Sequence, residues 1–345
     1  MKKVSKITSL RVQRILKGVR KISIALGLIA IVLLATGFVF QSIATVRDKQ
    51  QFPPPGQMVS AGQHALHINC QGTGSPTFVV DNGAGNWSTM WENIRREMPD
   101  DVQICLYDRA GLGWSDAGPM PRTSDRMVTE LHLLLKNAEI EPPYILVGHS
   151  LGGYNVRIFQ HRYPELVAGI ALVESGHEEQ WQRLPSEIND FIVEQTAPFQ
   201  IAPIAARFGL LRFVNLPTHK ALSAADRNTI VASMVQPKTV IAILSEFESA
   251  SVSAEQLAET SALDDLPLVV VSAVHSFDAS RVLETKLDVP FDEADRVWFE
   301  LQVELATLSS NSRHFVSHTG SHDINFDDPE IVVEALLHLL AQVRD

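Results

Sequence analysis

The chain has 345 residues, 45% of them hydrophobic and 20% charged, a composition that supports a large buried core and excludes a disordered or low-complexity protein. The formal net charge is −11. Lys2, Lys3, Lys6, Arg11, Arg14, Lys17, Arg20 and Lys21 all precede the first acid, so the remainder is more acidic still and its net charge gives no electrostatic basis for binding nucleic acid or anionic lipid.

Behind this basic segment (residues 1–21), residues 22–44 carry only Ser23, Thr36, Gln41 and Ser42 as polar interruptions. About 20 apolar residues cross a bilayer core. Positive charge before the run and a long domain after it predict a single-pass signal anchor in the cell membrane, with a cytoplasmic amino terminus and an extracytoplasmic domain. A cleaved secretory signal, ending near Ser42-Ile43-Ala44, is the rival reading. Residues 45–56 read as a linker, stiffened by Pro53-Pro54-Pro55.

From residue 57 onward, short apolar or alternating runs recur at Gln57–Ala61, Ala65–Asn69, Thr77–Val80 and Val102–Tyr107. They continue at Ile145–Val147, Ala168–Val173, Leu268–Ser272 and His314–Ser317. From the third onward most precede a helix-like segment, such as Met127–Ala138 or Pro329–Val343. That alternation predicts an α/β domain over 57–345, a mostly parallel sheet with helices on both faces. Residues 178–262 break the rhythm with helix-like segments at Glu187–Glu194, Ala224–Met234 and Thr239–Ser249. They predict a helical cap, whose Phe191, Phe199, Ile201, Phe208, Leu210, Leu211 and Phe213 either line an apolar pocket or pack the cap on the body.

Gly148-His149-Ser150-Leu151-Gly152 follows the apolar run Tyr144-Ile145-Leu146-Val147 and opens a helix-like segment. A strand ending in Gly-x-Ser-x-Gly is the sequence form of a nucleophile elbow, a turn so tight that it strains its Ser and projects the hydroxyl outward. No Cys-x-x-Cys pair or His-Glu-x-x-His helix suggests a metal, and the chemistry expected of the elbow needs no cofactor.

With Val79-Val80-Asp81-Asn82-Gly83-Ala84-Gly85, Tyr107-Asp108-Arg109-Ala110-Gly111-Leu112-Gly113-Trp114-Ser115-Asp116 and Gly320-Ser321-His322-Asp323-Ile324, the elbow gives four blocks in order. Together they resemble the α/β-hydrolase superfamily, and more closely its serine hydrolases with a small helical cap, over residues 57–345. The resemblance implies an eight-stranded sheet and hydrolysis of an ester or related acyl bond through a covalent intermediate on Ser150. It implies His322 as the base, with His318 and His314 as lesser candidates. Ser321 and Asp323 depart from the family's usual Gly and apolar neighbours. Two carboxylates compete for the orienting acid: Glu174, closing the sixth strand, is favoured over Asp278, beyond the seventh. The oxyanion hole is expected from the backbone N–H groups of Leu151 and Ala84. Asp108 and Arg109 read as loop-fixing; Asn86 and Trp87 either border the pocket, or Trp87, with Trp91, packs the helix after the loop. The implied sheet order sets Cys70 beside Cys105, either as a disulfide or as two buried thiols.

The expected activity is therefore a membrane-anchored serine hydrolase acting on a small-molecule acyl substrate. Amidase, peptidase or carbon–carbon bond hydrolase activity on the same groups, and a catalytically silent binding module, stay open. Substrate and oligomeric state are not legible.

Overall fold

A computed structural model of the chain describes residues 2–196, 200–260, 262–277 and 289–344. Its centre is an eight-stranded sheet: β1 (Gln57–Ser60), β2 (Ala65–Gln71), β3 (Thr77–Asp81), β4 (Ile104–Tyr107), β5 (Tyr144–His149), β6 (Val167–Val173), β7 (Leu268–Ala273) and β8 (Ser312–Ser317). The spatial order is β1-β2-β4-β3-β5-β6-β7-β8. β2 runs antiparallel to both β1 and β4, and every other pairing is parallel.

The central strands are apolar throughout because both faces are covered. Val79, Leu146, Leu172 and Val270 point to one side, where they pack with Met127 and Leu131 of the helix Ser124–Asn137 and with Val156 and Phe159 of Leu151–Arg162. Their neighbours Val80, Val147, Val173 and Val271 point to the other, against Leu336 and Leu339 of Pro329–Arg344. Alternation along each strand thus splits the core into two layers. β5 lies at the centre of the sheet, so the turn at its carboxyl end opens where flanking loops converge.

Between β6 and β7 the chain is helical: Gln180–Arg183, Ser186–Thr196, Ala202–Arg207, Ala224–Met234, Pro237–Glu248 and Ala250–Ala258. Before the sheet, one helix runs from Lys2 to Gln51. It is long and apolar enough to cross a membrane, with a mean hydropathy of 2.6 over its best 18-residue window. It also revises the expected linker. Residues 45–51 continue the helix, because nothing before Pro53 interrupts its hydrogen bonding, and only 52–56 remain as a connection. That connection is pinned to the domain by a hydrogen bond from Trp114 Nε1 to the Phe52 carbonyl (2.9 Å).

β2 and β4 place Cys70 opposite Cys105 in register, and the two sulfurs are bonded at 2.04 Å.

Candidate active site

The turn after β5 places Ser150 at φ 51°, ψ −120°, a conformation that L-residues avoid, and at once starts the helix Leu151–Arg162. Glycine is obligatory on both sides of it. A β-carbon on Gly148 would lie 2.6 Å from Val156 Cγ2, and one on Gly152 would lie 2.1 Å from the Asp81 carbonyl oxygen. The sheet and helix therefore close around the turn, and the Ser150 side chain has only the outward direction.

That direction leads to His322. The Ser150 hydroxyl lies 3.0 Å from His322 Nε2, and His322 Nδ1 lies 3.1 Å from Glu174 Oε2. Glu174 follows β6, beside the elbow strand, and also takes a positive φ, 44°. Its carboxylate is fully buried yet satisfied. Oε1 accepts from the Ala273 amide (2.7 Å) and Oε2 from Trp298 Nε1 (2.9 Å). The loop carrying His322 is held twice: its amide donates to the Ser276 carbonyl (3.2 Å), and its carbonyl accepts from His149 Nε2 (2.8 Å). His149 is enclosed, and burial followed by the neighbouring His322 lowers its pKa to about 4, so it donates as a neutral imidazole. Enclosure also pushes His322 downward. The hydrogen bond and charge of Glu174, helped by Asp323, outweigh it and raise the His322 pKa above 6.5.

Of the other candidates, His314 sits on β8 and pairs with the Ser272 hydroxyl (2.8 Å). Asp278, the rival carboxylate, and Phe199 lie outside the described residues. Ala84 and Leu151 border the same cavity as Ser150 and His322, a space of about 250 Å³.

Of the two readings of the cap's apolar residues, lining the pocket or packing the cap, the first does not hold for those described. Ile201, Leu210 and Phe213 are exposed, Phe208 and Leu211 are half-buried, and Phe191 packs edge-on to Phe291 at 5.8 Å; none of them lines the cavity. Trp181, Leu184, Phe247, Phe277 and Trp298 do. The reason is chain path: the segments next to the sheet ends approach Ser150, while residues 200–214 lie at the outer side of the cap against the amino-terminal helix.

Asp108 and Arg109 fix loops. Asp108 accepts from the amides of Ser88 and Trp114 (both 2.9 Å) and pairs with His67 (3.0 Å). Arg109 donates to the carbonyls of Asn82 (2.5 Å) and Gly83 (2.7 Å), to Asp81 (2.7 Å) and to Glu246 (2.7 and 2.9 Å). Glu246, from the cap helix Pro237–Glu248, also accepts from the Gly85 amide (2.7 Å). The loop Asn82–Gly85 is thus clamped from both ends, with Ala84 between. Trp87 and Trp91 are buried packing residues.

Sequence reasoning missed Glu246, Trp298 and His149. For Trp298 a signal existed: Ala294, Val297, Trp298, Leu301 and Leu305 recur at helical spacing and are buried on the helix Phe291–Leu305. Glu246 had none, being an acid within a helix distant in sequence.

Strand order, elbow and converging loops define the α/β-hydrolase fold, and the comparisons with known proteins point the same way. A family model described as alpha/beta hydrolase fold matches residues 76–231. An AB hydrolase superfamily protein of Gibberella zeae is 25% identical over 295 residues, covering 78% of this chain and 87% of its own length. A probable transporter, efuK, of Hormonema carpetanum is 28% identical over 83% of this chain, which spans only 42% of that protein. Among solved structures, a thermophilic esterase from Thermogutta terrifontis, with malate bound, aligns at TM-score 0.55 and 21% identity. That alignment covers 84% of this chain and 99% of the esterase, and the likeness is one of fold.

Proposed function

We propose that the chain is a serine hydrolase, held in a membrane by its amino-terminal helix, that cleaves an ester through an acyl-enzyme. The observation that carries this reading is the continuous chain of hydrogen bonds from Ser150 through His322 to Glu174 at the edge of an apolar cavity. A free serine hydroxyl is too weak a nucleophile at neutral pH, so His322 Nε2 takes its proton as Oγ attacks the carbonyl carbon. The imidazolium so formed is stabilised by Glu174, which also keeps the proton on Nδ1. The tetrahedral oxyanion rests on the amides of Leu151 and Ala84. Collapse expels the alcohol, which leaves with the proton from His322. Water, deprotonated by the same nitrogen, then releases the acid and frees Ser150.

The lining supports an apolar acyl substrate. Trp181, Leu184, Phe247, Phe277 and Trp298 present apolar surface, and Glu246 is already engaged by Arg109 and Gly85, so an uncharged acyl group fits. A panel of p-nitrophenyl esters of increasing chain length tests the reading. Wild-type turnover that disappears in Ser150→Ala supports it; turnover unchanged by that substitution, or no hydrolysis of any ester, refutes it.

A further inference from the structure

The cap carries apolar residues that the site does not use. Phe213 is 78% exposed, Ile201 70% and Ile204 62%, with Leu210 and Val214 beside them. Large exposed apolar side chains gathered in one segment mark a contact surface. Its occupant is indicated by what it is fastened to. Phe40 of the long helix stacks on Phe213 at 5.9 Å, and a β-carbon on Gly37 would lie 2.7 Å from the Phe208 carbonyl oxygen, so helix and cap meet backbone to backbone. Gln41 donates to the Val235 carbonyl (3.1 Å) and accepts from Arg212 Nε (2.7 Å), while Asp48 pairs with Arg212 at 2.6 Å.

Depth along the helix then fixes depth of the cap. A bilayer core is about 30 Å thick, or about 20 helical residues. Counted from Lys21, the last basic residue before the uncharged run, the core ends near Gln41. The cap residues in contact with Gly37, Phe40 and Gln41 lie at that same level.

Charge supports the same occupant. In an acidic chain, residues 195–225 contain no Asp or Glu and hold Arg207, Arg212 and Lys220. A crevice of about 300 Å³ between helix and cap is lined by Phe38, Ser42, Lys49, Arg207 and Lys238, and by no carboxylate among the described residues. Lys238 donates to the Gly113 and Ser115 carbonyls, and Arg207 and Lys49, beyond the end of the apolar run, are the cations suited to lipid phosphates.

We propose that residues 200–214 of the cap dip into the outer leaflet of a phospholipid bilayer, with Ile201, Ile204, Leu210 and Phe213 among the acyl chains and Arg207 and Lys49 at the phosphates. The proposal rests on the helix spanning that bilayer. The cavity of Ser150 is thereby held close to the membrane surface, where lipid-soluble esters concentrate.

The test uses the full chain in vesicles of phosphatidylcholine and phosphatidylglycerol. Both native cysteines are bonded to each other, so an introduced cysteine takes a spin label alone. Labels are placed at Ile204→Cys and Phe213→Cys in the cap, Ile31→Cys within the helix and Val303→Cys on the exposed body. Collision with oxygen relative to a water-soluble nickel complex reports depth. The expected ratio at 204 and 213 is several-fold above that at 303 and below that at 31. Ratios at 204 and 213 equal to that at 303, with 31 in lipid, overturn the cap proposal and leave the span standing. Position 31 in water overturns both.

Discussion

In the proposed mechanism Glu174 is where the chemistry is tuned. Enclosure alone would depress the His322 pKa, and the adjacent buried carboxylate reverses the sign. With His322 as the proposed base, which must be neutral to accept the Ser150 proton, kcat/KM should rise with pH through a value above the ordinary 6.5 of histidine. Glu174→Gln keeps the shape but removes the charge and can present the wrong hydrogen-bonding partner to Nδ1. We expect kcat/KM to fall about 10³- to 10⁴-fold and the acidic limb to move below 6.5. A pH–rate profile checks both, and a limb that stays in place contradicts the assignment of the acid. That Ser150, Glu174 and His322 come together was readable because strand ends locate them: each follows an apolar run. The residues that support them were not. Trp298 and His149 act through contacts across the fold, which no local pattern encodes.

Elements bring these side chains together by a few buried ties between sheet and cap. The clearest is Glu246, which reaches from Pro237–Glu248 to Arg109 and the Gly85 amide. Removing one partner of a buried ion pair leaves the other uncompensated, at a cost of about 3–5 kcal/mol. Glu246→Ala should therefore destabilise the folded chain by that order and slow acylation, since Ala84 sits within the clamped loop. Glu246→Gln, which retains an acceptor for Gly85, should lose less. Denaturant unfolding of both variants measures this; an Ala variant within ~0.5 kcal/mol of wild type contradicts the clamp. Strands were legible to within a residue or two because continuous apolar runs flanked by turns can only be buried. The helix at 45–51 was misread as linker because Pro53–Pro55 drew the boundary too far upstream. The sequence left the cap's apolar residues between pocket and packing, because hydrophobicity alone does not distinguish one apolar environment from another.

At the scale of the molecule, two features can be tested on the whole chain: the disulfide and the long apolar helix. The bond between Cys70 and Cys105 closes a loop of sequence separation 35, worth about 4 kcal/mol on chain-entropy grounds. The double variant Cys70→Ala/Cys105→Ala should lose stability of that order; unchanged unfolding would show that the bridge contributes nothing. The uncharged run of the long helix predicts that the chain stays with the membrane pellet after alkaline carbonate extraction, and release into the supernatant would contradict the anchor. Neither feature bears on catalysis as directly as one labelling experiment. The folded full-length chain is exposed to a fluorophosphonate and the modified peptide identified by mass. The account predicts a single adduct on Ser150, abolished in His322→Ala; no adduct in folded protein, or an adduct on another residue, would contradict it.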